Sequence, residues 1–543
     1  MVFNFNAKSV KQFNALPRKP RAPSGMVSNN WHFDLRYVPL DPTPSHFLFI
    51  VQLESSYIHG ERVPLKLPAN ASGIEFFPET GQEAAPEVAK ALIVSFLDGM
   101  GQRKFTFNPP PPSAPWKLTT EDPTLAEAVG NEFKRLGVRP ELCKIDVVKG
   151  RSLKIAQEAF EGFWDSLKTS IGITGLAHKA LTPPGSIVFE NLRLSPWVGD
   201  PDDDEANKAL QYTQRLAAAR PLSEEAAYAS VGEEMMRKLN LNITYLRTKS
   251  NDEVRAEADA GKGESAIDYS LRLQFGINCT PNRALCRTYL VKAITSPTSN
   301  AALKSRAHAL LIDWYTGASK DSIYYRYLHA AAHHANQSVE LSNGDVSPAV
   351  LFFAMHILEP HSHQVLELNV QYKAVWAALQ KRKQELEKEK EKAAKKRAQT
   401  ANRYICAAVN CVIQADKGRM LARCSGKCDT DKKPAYCSKE CQRADWKNHK
   451  PFCRPGAPCS ILEKDLDVPL PSEKGGSLSI PILGPDGKTV MISSSTMGPE
   501  MLKEMRELSL ADHARAEGSS GRVQLPGSGV SMEKLGELDL DPK

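Results

Sequence analysis

Long apolar runs are missing from this chain. No stretch of about 18 consecutive apolar residues occurs in its 543 residues, which excludes a membrane-spanning helix. Strong charge of either sign is missing too: a formal net charge of +7 over that length is no nucleic-acid signature by itself. Acids are absent before Asp34, where MVFNFNAKSVKQFNALPRKPRAPSG carries five basic residues. A transit peptide is one reading of that stretch. Its prolines and broken apolar pattern favour the other, a disordered basic tail over 1–29. No secretory signal is present, so the sequon Asn242-Ile243-Thr244 carries no meaning for glycosylation. Cysteine is sparse outside one stretch, at Cys143, Cys279, Cys286 and Cys459, which fits reduced thiols in cytosol or nucleus. Residues 30–170 contain neither a Gly-rich phosphate loop nor a nucleophile elbow, so the common catalytic signatures are lacking.

What is present divides into about three domains, as the length suggests. Trp31, Phe33, Leu35 and Tyr37 alternate with mostly polar residues and predict a half-buried strand to Val38. FLFIVQL, Phe47 to Leu53, predicts a strand buried on both faces, and Val88 to Leu97 a helix. Pro109 to Pro112 is read as an extended loop. Asp122-Pro123 supplies an N-cap and a proline at the first helical position, Leu125, Val129, Phe133 and Leu136 form the stripe, and Gly137 closes it. A strand over Leu142 to Val148 and a helix over Leu153 to Leu167 complete an expected α+β domain, residues 30–170.

Residues 180 to 205 read as a loop, ending in the acidic run Asp202 to Glu205. These acids suit a helix N-terminus better than a general-acid pair. A central helical domain is expected over 205–380. Within it AIDYSLRLQFG is echoed by HALLIDWYTG, and CRTYLVKA by YRYLHAAA, about 40 residues on. Small residues at crossings with bulky ones between suit stacked helical hairpins, and the pattern resembles tetratricopeptide-type repeats of the longer Sel-like kind. An ordinary helical bundle is the alternative. His333 and His334 are adjacent on a helix and point apart, against a joint metal site. KRKQELEKEKEKAAKKR, Lys381 to Arg397, has no apolar stripe but opposite charges at helical spacing, and predicts a solvated spacer over 381–403. Its basic ends also suit a split nuclear-import signal. After residue 453 a mostly flexible tail, 454–543, is expected to hold one hairpin turning at Pro485-Asp486-Gly487, with a short helix over Pro499 to Leu508.

Cys406 to Cys453 concentrates the chemistry. Seven of the eleven cysteines fall there, paired as Cys406/Cys411, Cys424/Cys428 and Cys437/Cys441, with His449/Cys453 as a mixed last pair. Eight soft ligands in four pairs suit two tetrahedral zinc ions, each closed by four N/S ligands and so structural, with no position for a reactive water. A disulfide cluster is the competing reading, and it needs an oxidising compartment. So few aliphatic residues also call for the folding free energy of a structural zinc, about 10–16 kcal/mol.

CSGKC followed by YCSKECQRADWKNHKPFC closely resembles the MYND zinc finger: the ligand order matches, as do Tyr436, Gln442 and the Asp-Trp before the histidine. The resemblance covers less than a tenth of the chain. It implies a cross-brace with Cys406, Cys411, Cys437 and Cys441 on one zinc and Cys424, Cys428, His449 and Cys453 on the other. The first two pairs are wider than is usual in the family, and the Cys411 to Cys424 gap is long. The layout, with RPG after the finger, is also similar to that of MYND-finger proteins of basidiomycete fungi. The family implies binding of short proline-containing peptides as extended strands. Trp446 offers a flat apolar face for a proline or leucine. Gln442, four residues earlier and so on the same helical side, can give and take backbone hydrogen bonds. Tyr436 and Ser438 lie just before the helix and are expected to border the groove.

One enzyme reading falls away on residues. Gly276-Ile277-Asn278-Cys279-Thr280-Pro281-Asn282 resembles the Asn-His-Ser-Cys-x-Pro-Asn motif of SET-domain methyltransferases only at Cys279, Pro281 and Asn282, and stands before the finger instead of after it. The expectation is a mainly helical, multidomain, non-enzymatic adaptor binding two zinc ions and protein partners. The alternatives are an enzyme with its chemistry in the α+β domain, or a nuclear transcriptional regulator. The finger's lysines alone would give only non-specific phosphate contact, because the finger lacks a clear recognition helix with base-reading Arg or Asn.

Overall fold

The computed structural model describes residues 5–65, 67, 73–100, 111–170, 181–192, 203–221, 231–317, 325–399, 403–417, 420–460, 476–483 and 489–518. The chain forms two compact units, Met1–Arg382 and Lys383–Lys543. Most described residues are helical, with an α/β region at the N-terminal end of the first unit.

That region is built on a five-stranded sheet in the order β3-β2-β1-β4-β5, from β1 (Asn30–Val38), β2 (Ser45–Gln52), β3 (Tyr57–Val63), β4 (Lys117–Thr120) and β5 (Ile145–Val147). β1, β2 and β3 form an antiparallel meander, whereas β1–β4 and β4–β5 pair in parallel. The parallel half needs a crossover helix, supplied between β4 and β5 by α3 (Pro123–Leu136). Asp122 caps α3 and Gly137 closes it in the left-handed region (φ 79°), as its sequence predicts. Helix α2 (Gly81–Leu97) starts at the Thr80 cap and carries Pro86 inside it, so it begins a turn and more before the expected Val88.

The expected half-buried character of β1 is corrected by the structure: its polar face is covered as well. His32, Asp34 and Arg36 are all buried. Arg36 donates to both carboxylate oxygens of Asp34 and to the Pro184 carbonyl, and its guanidinium lies 3.8 Å from the Phe160 ring centre. Phe160 and Trp164 come from α4 (Arg151–Ser170), which packs with Phe49 and Val38, while Phe33, Leu35, Leu48 and Ile50 pack with α2 and α3. The 1–29 tail is also corrected. It holds α1 (Ala7–Ala15), capped by Asn6, and Phe13 is fully buried with ring centres 6.2 Å from both Phe96 and Phe133.

The helical part of the first unit runs through α5 (Glu205–Ala218), α6 (Val231–Thr248), α7 (Asn251–Asp259), α8 (Gly263–Phe275), α9 (Arg283–Thr295), α10 (Ala301–Thr316), α11 (Tyr325–Leu341), α12 (Pro348–Phe353) and α13 (Glu359–Ser362). The sequence echoes fall on successive helices: AIDYSLRLQFG is α8 and HALLIDWYTG α10, while CRTYLVKA lies in α9 and YRYLHAAA in α11. The Gly276 to Asn282 stretch is the turn between α8 and α9. Gly276 ends α8 at φ 64° and the Asn282 side chain caps α9 by accepting from the Leu285 N–H.

Tyr37, Ile74 and Phe77 belong to the helical core, so the α/β region and the helices share apolar packing. Three arginines grip the segment around Glu79. Arg283 pairs with Glu79 at 3.1 Å, Arg326 donates to the Pro78 carbonyl, and Arg287 donates to the carbonyls of Ile74 and Glu75. Tyr327 also donates to Glu79, at 2.7 Å. Helix α14 (Lys373–Gln399) starts with Val375 and Leu379 buried and continues into the charged stretch read as a spacer.

In the second unit, β6 (Gln414–Ala415) pairs with β9 (Leu478–Leu483), which pairs antiparallel with β10 (Thr489–Ser494). The hairpin over 477–493 thus forms as expected, although its turn at Pro485-Asp486-Gly487 lies outside the described residues. Helix α16 (Pro499–Gly518) follows, longer than the expected Pro499 to Leu508. This segment is no loose tail, because Leu478, Ile480 and Leu502 are buried in one core with the finger's cysteines. The residues after 518 lie outside the described ones, as do Asp202 and the first part of the Pro109 to Pro112 run.

Candidate metal centre

The finger is assembled by very short elements. β7 (Ala422–Arg423) and β8 (Ala435–Tyr436) pair antiparallel, so Cys424 and Cys437 leave opposite ends of one ladder. Cys406 bridges to Ala435 alongside it, and a turn from Ala408 to Cys411 closes the wide first loop. Helix α15 (Lys439–His449) is capped by Ser438, whose hydroxyl accepts from the Cys441 N–H. Cys441, Asp445 and His449 repeat every four residues and are the buried residues of this helix. One face therefore sends Cys441 to one cluster and His449 to the other. Asp445 between them accepts from the Tyr436 hydroxyl at 2.9 Å.

Two four-ligand groups result: Cys406, Cys411, Cys437 and Cys441, and Cys424, Cys428, His449 and Cys453. Within each, the ligand atoms lie within 4.8 Å of one another. A tetrahedral zinc with sulfur at about 2.3 Å demands sulfur separations of about 3.8 Å. Cys411 and Cys437 are 3.6 Å apart, Cys437 and Cys441 3.5 Å, and Cys424 and Cys453 3.8 Å. Cys428 Sγ lies 3.7 Å from His449 Nε2. These spacings are far from the roughly 2 Å of a disulfide, and all eleven cysteines are free.

The surroundings fit a cation as well. Within one cluster the thiols split: hydrogen bonds with Cys411 and Cys437 pull Cys406 down to about 2, while the bond with Cys406 holds Cys411 up to about 12; in the other, Cys428 is pushed up to about 11 by burial and the neighbouring Cys424 and Cys453. Crowded thiols resist joint ionisation, and a divalent ion removes that resistance. Backbone N–H groups of Gly426 and Cys437 point to Cys424 and Cys406 sulfurs at 3.3 and 3.5 Å. A β-carbon at position 426 would fall 2.2 Å from Cys453 Sγ, so glycine is required by the approach itself. The two clusters accommodate two structural zinc ions, with every first-sphere position filled by protein.

Three supporting residues carry no signal in the ligand spacing. The Ser460 hydroxyl meets His449 Nδ1 at 3.1 Å, which leaves Nε2 for the metal. Asp445 braces α15 against β8 through Tyr436. Lys503 of α16 places its Nζ 3.3 Å from Cys441 Sγ, beside the four-cysteine cluster, whose zinc complex carries a formal charge of about −2. Ser460 and Lys503 lie beyond the last ligand, so only the folded chain brings them in.

The expected peptide-binding residues divide. Trp446 is 43% exposed and touches His449 edge-on, with ring centres 6.1 Å apart, so it does not fill the space between the clusters. Gln442 is half-buried one turn earlier. Tyr436 is corrected: it is 1% exposed with its hydroxyl held by Asp445, and its ring is core instead of groove wall. Ser438 is half-buried and engaged as the helix cap.

A compact module with two four-ligand zinc clusters interleaved along the chain is a cross-brace zinc finger. Residues 406–453 match the family model described as the MYND finger. Such fingers are in general protein-interaction modules. No curated protein and no solved structure matches the chain.

Proposed function

We propose that the protein is a non-enzymatic adaptor of the cytosol or nucleus, and that its finger holds short proline-containing peptides against Trp446 and Gln442. The observation that carries this is the exposure of Trp446 on a helix pinned at both ends by zinc ligands, Cys441 and His449. A large ring left in water on so rigid a support has little side-chain entropy to lose when a proline packs on it. Gln442 faces the same side and supplies an amide for an extended backbone. The helices α8 to α11 act, on this reading, as a pair of Sel-like hairpins that carry further protein contacts. The test uses the full chain and a library of proline-containing peptides. Trp446→Ala abolishes capture with both zinc ions retained, and Gln442→Ala weakens it by about 1–3 kcal/mol by stranding a backbone group. If both variants keep zinc and bind every peptide that the unchanged chain binds, the finger is a structural cap only.

A further inference from the structure

Helix α15 has a second face, turned away from Trp446. Cys441, Ala444, Asp445 and Asn448 line a groove of about 560 Å³ closed by the first finger loop, by Ile480 of β9 and by α16. At 3.6 residues per turn this face lies roughly 130° around the helix from Gln442 and Trp446. The groove therefore does not depend on the peptide surface proposed above. Its floor is apolar, with Val412, Ala444 and Ile480, and Leu510 stands at its end 39% exposed. Lys503, Arg506, Glu507 and Leu510 enter from α16 at the i, i+3, i+4, i+7 spacing of a single helical face.

The charges are unequal in availability. Asp445 is buried and already accepts from Tyr436 and Asn448. Lys503 reaches Cys441 and Glu500. Arg506 is half-buried in the wall, and no side chain among the described residues pairs with it. Glu507 stands exposed on the outer rim. An apolar floor beside an unpaired guanidinium suits an aliphatic side chain next to a carboxylate.

The chain itself carries such a sequence. Beyond Gly518, where α16 ends, residues Glu533 to Asp541 read EKLGELDLD: Leu535, Leu538 and Leu540 alternate with Glu537, Asp539 and Asp541. From Leu510 to Gly518 the helix rises only about 12 Å. The residues from Ser519 to Met532 can span about 46–50 Å when extended, so the tether reaches back with slack. A tethered ligand of this kind is present at roughly millimolar effective concentration. We propose that the segment from Glu533 to Asp541 occupies the groove between α15 and α16 of its own chain, with leucines on Val412 and Leu510 and a carboxylate on Arg506. The occupant makes the groove a self-covered docking surface, opened when an external peptide of the same acidic-leucine chemistry outcompetes it.

The probe is a fluorescein-labelled synthetic peptide of residues 530–543, read by anisotropy against the full chain and a chain ending at Gly518. The shortened chain binds it, and the full chain binds about tenfold or more weakly because its own tail competes. Leu538→Ser in the full chain, which changes no residue of the groove, restores binding of the unchanged peptide. Arg506→Glu in the shortened chain, checked for zinc content, loses it. Equal binding to full and shortened chains, or no binding to either, overturns the proposal. So does unchanged binding by Arg506→Glu. Light scattering covers a second copy: a full-length dimer that becomes a monomer on removing the tail assigns the groove to another molecule's tail and overturns the intramolecular arrangement.

Discussion

Leu502 lies 49 residues past the last zinc ligand, Cys453, yet it is fully buried in the core that holds the ligating cysteines, beside Leu478 and Ile480. Replacing it with alanine deletes three carbons and leaves a cavity under α16. At a site with no exposure the expected cost is about 3–4 kcal/mol. Structural zinc binding and folding of such a module are one equilibrium, so lost packing is read as lost metal affinity. At 1.36 kcal/mol per power of ten, the zinc equilibrium of Leu502→Ala should shift by roughly two to three powers of ten. The assay is chelator competition followed with a zinc-sensitive dye, on the full chain kept reduced. Met501, its neighbour, is 53% exposed and provides the control. Met501→Ala should stay within about 0.5 kcal/mol of the unchanged chain. If Leu502→Ala yields its zinc at the same chelator concentration as Met501→Ala, the segment from 476 to 510 is no part of the finger's folding unit.

Native mass spectrometry should find two zinc ions per chain, both removed by chelator, and one zinc would refute the pair of clusters. Cys441→Ser should unfold the finger and leave the unfolding of Met1–Arg382 unchanged by calorimetry, because the two units are separate compact bodies. In the first unit burial holds His329 down to about 3, and burial with nearby His333 and Lys304 does the same for His308. Both stay neutral in the fold while the unfolded chain takes up protons below about pH 6.5, so their contribution is full above that pH and is lost as pH falls toward 3. The two together should remove roughly 4–5 kcal/mol between pH 6.5 and 4.5, and a urea midpoint that holds constant or rises over that interval would contradict the assignment.

The zinc ligands were legible because metal chemistry fixes residue type and spacing locally. The Asp122 cap and the Gly137 stop were legible for the same reason: each acts on its own helix. What stayed hidden depends on partners distant in sequence. Arg36 and Asp34 read as a solvated strand face until Phe160 and Pro184 cover them, more than a hundred residues later. Phe13 is one of three phenylalanines in a basic stretch with no regular apolar pattern, and only Phe96 and Phe133 make it core. Pro86 disguised the start of α2, since a proline suggests a boundary and here stands within the helix. Tyr436 carries the right side chain for a binding surface, but its hydroxyl is claimed by Asp445 nine residues on. The hairpin's strands were visible as a pattern, whereas their attachment to the finger runs through a two-residue strand, Gln414–Ala415, that no periodicity can reveal.

The grip of Arg283, Arg287 and Arg326 on the segment around Glu79 has a consequence for the order in which the protein can be made. Tyr327 and Glu79 are 248 positions apart, and Arg283 is 204 from Glu79. A ribosome adding about 5–20 residues per second takes roughly 10–50 s to cover that span. For most of it the β-meander is already made while Phe77, Glu79 and the far side of Tyr37 have nothing to close on. The nascent chain therefore passes through an interval in which an apolar ring cluster and a carboxylate destined for burial still lack the helices that cover them.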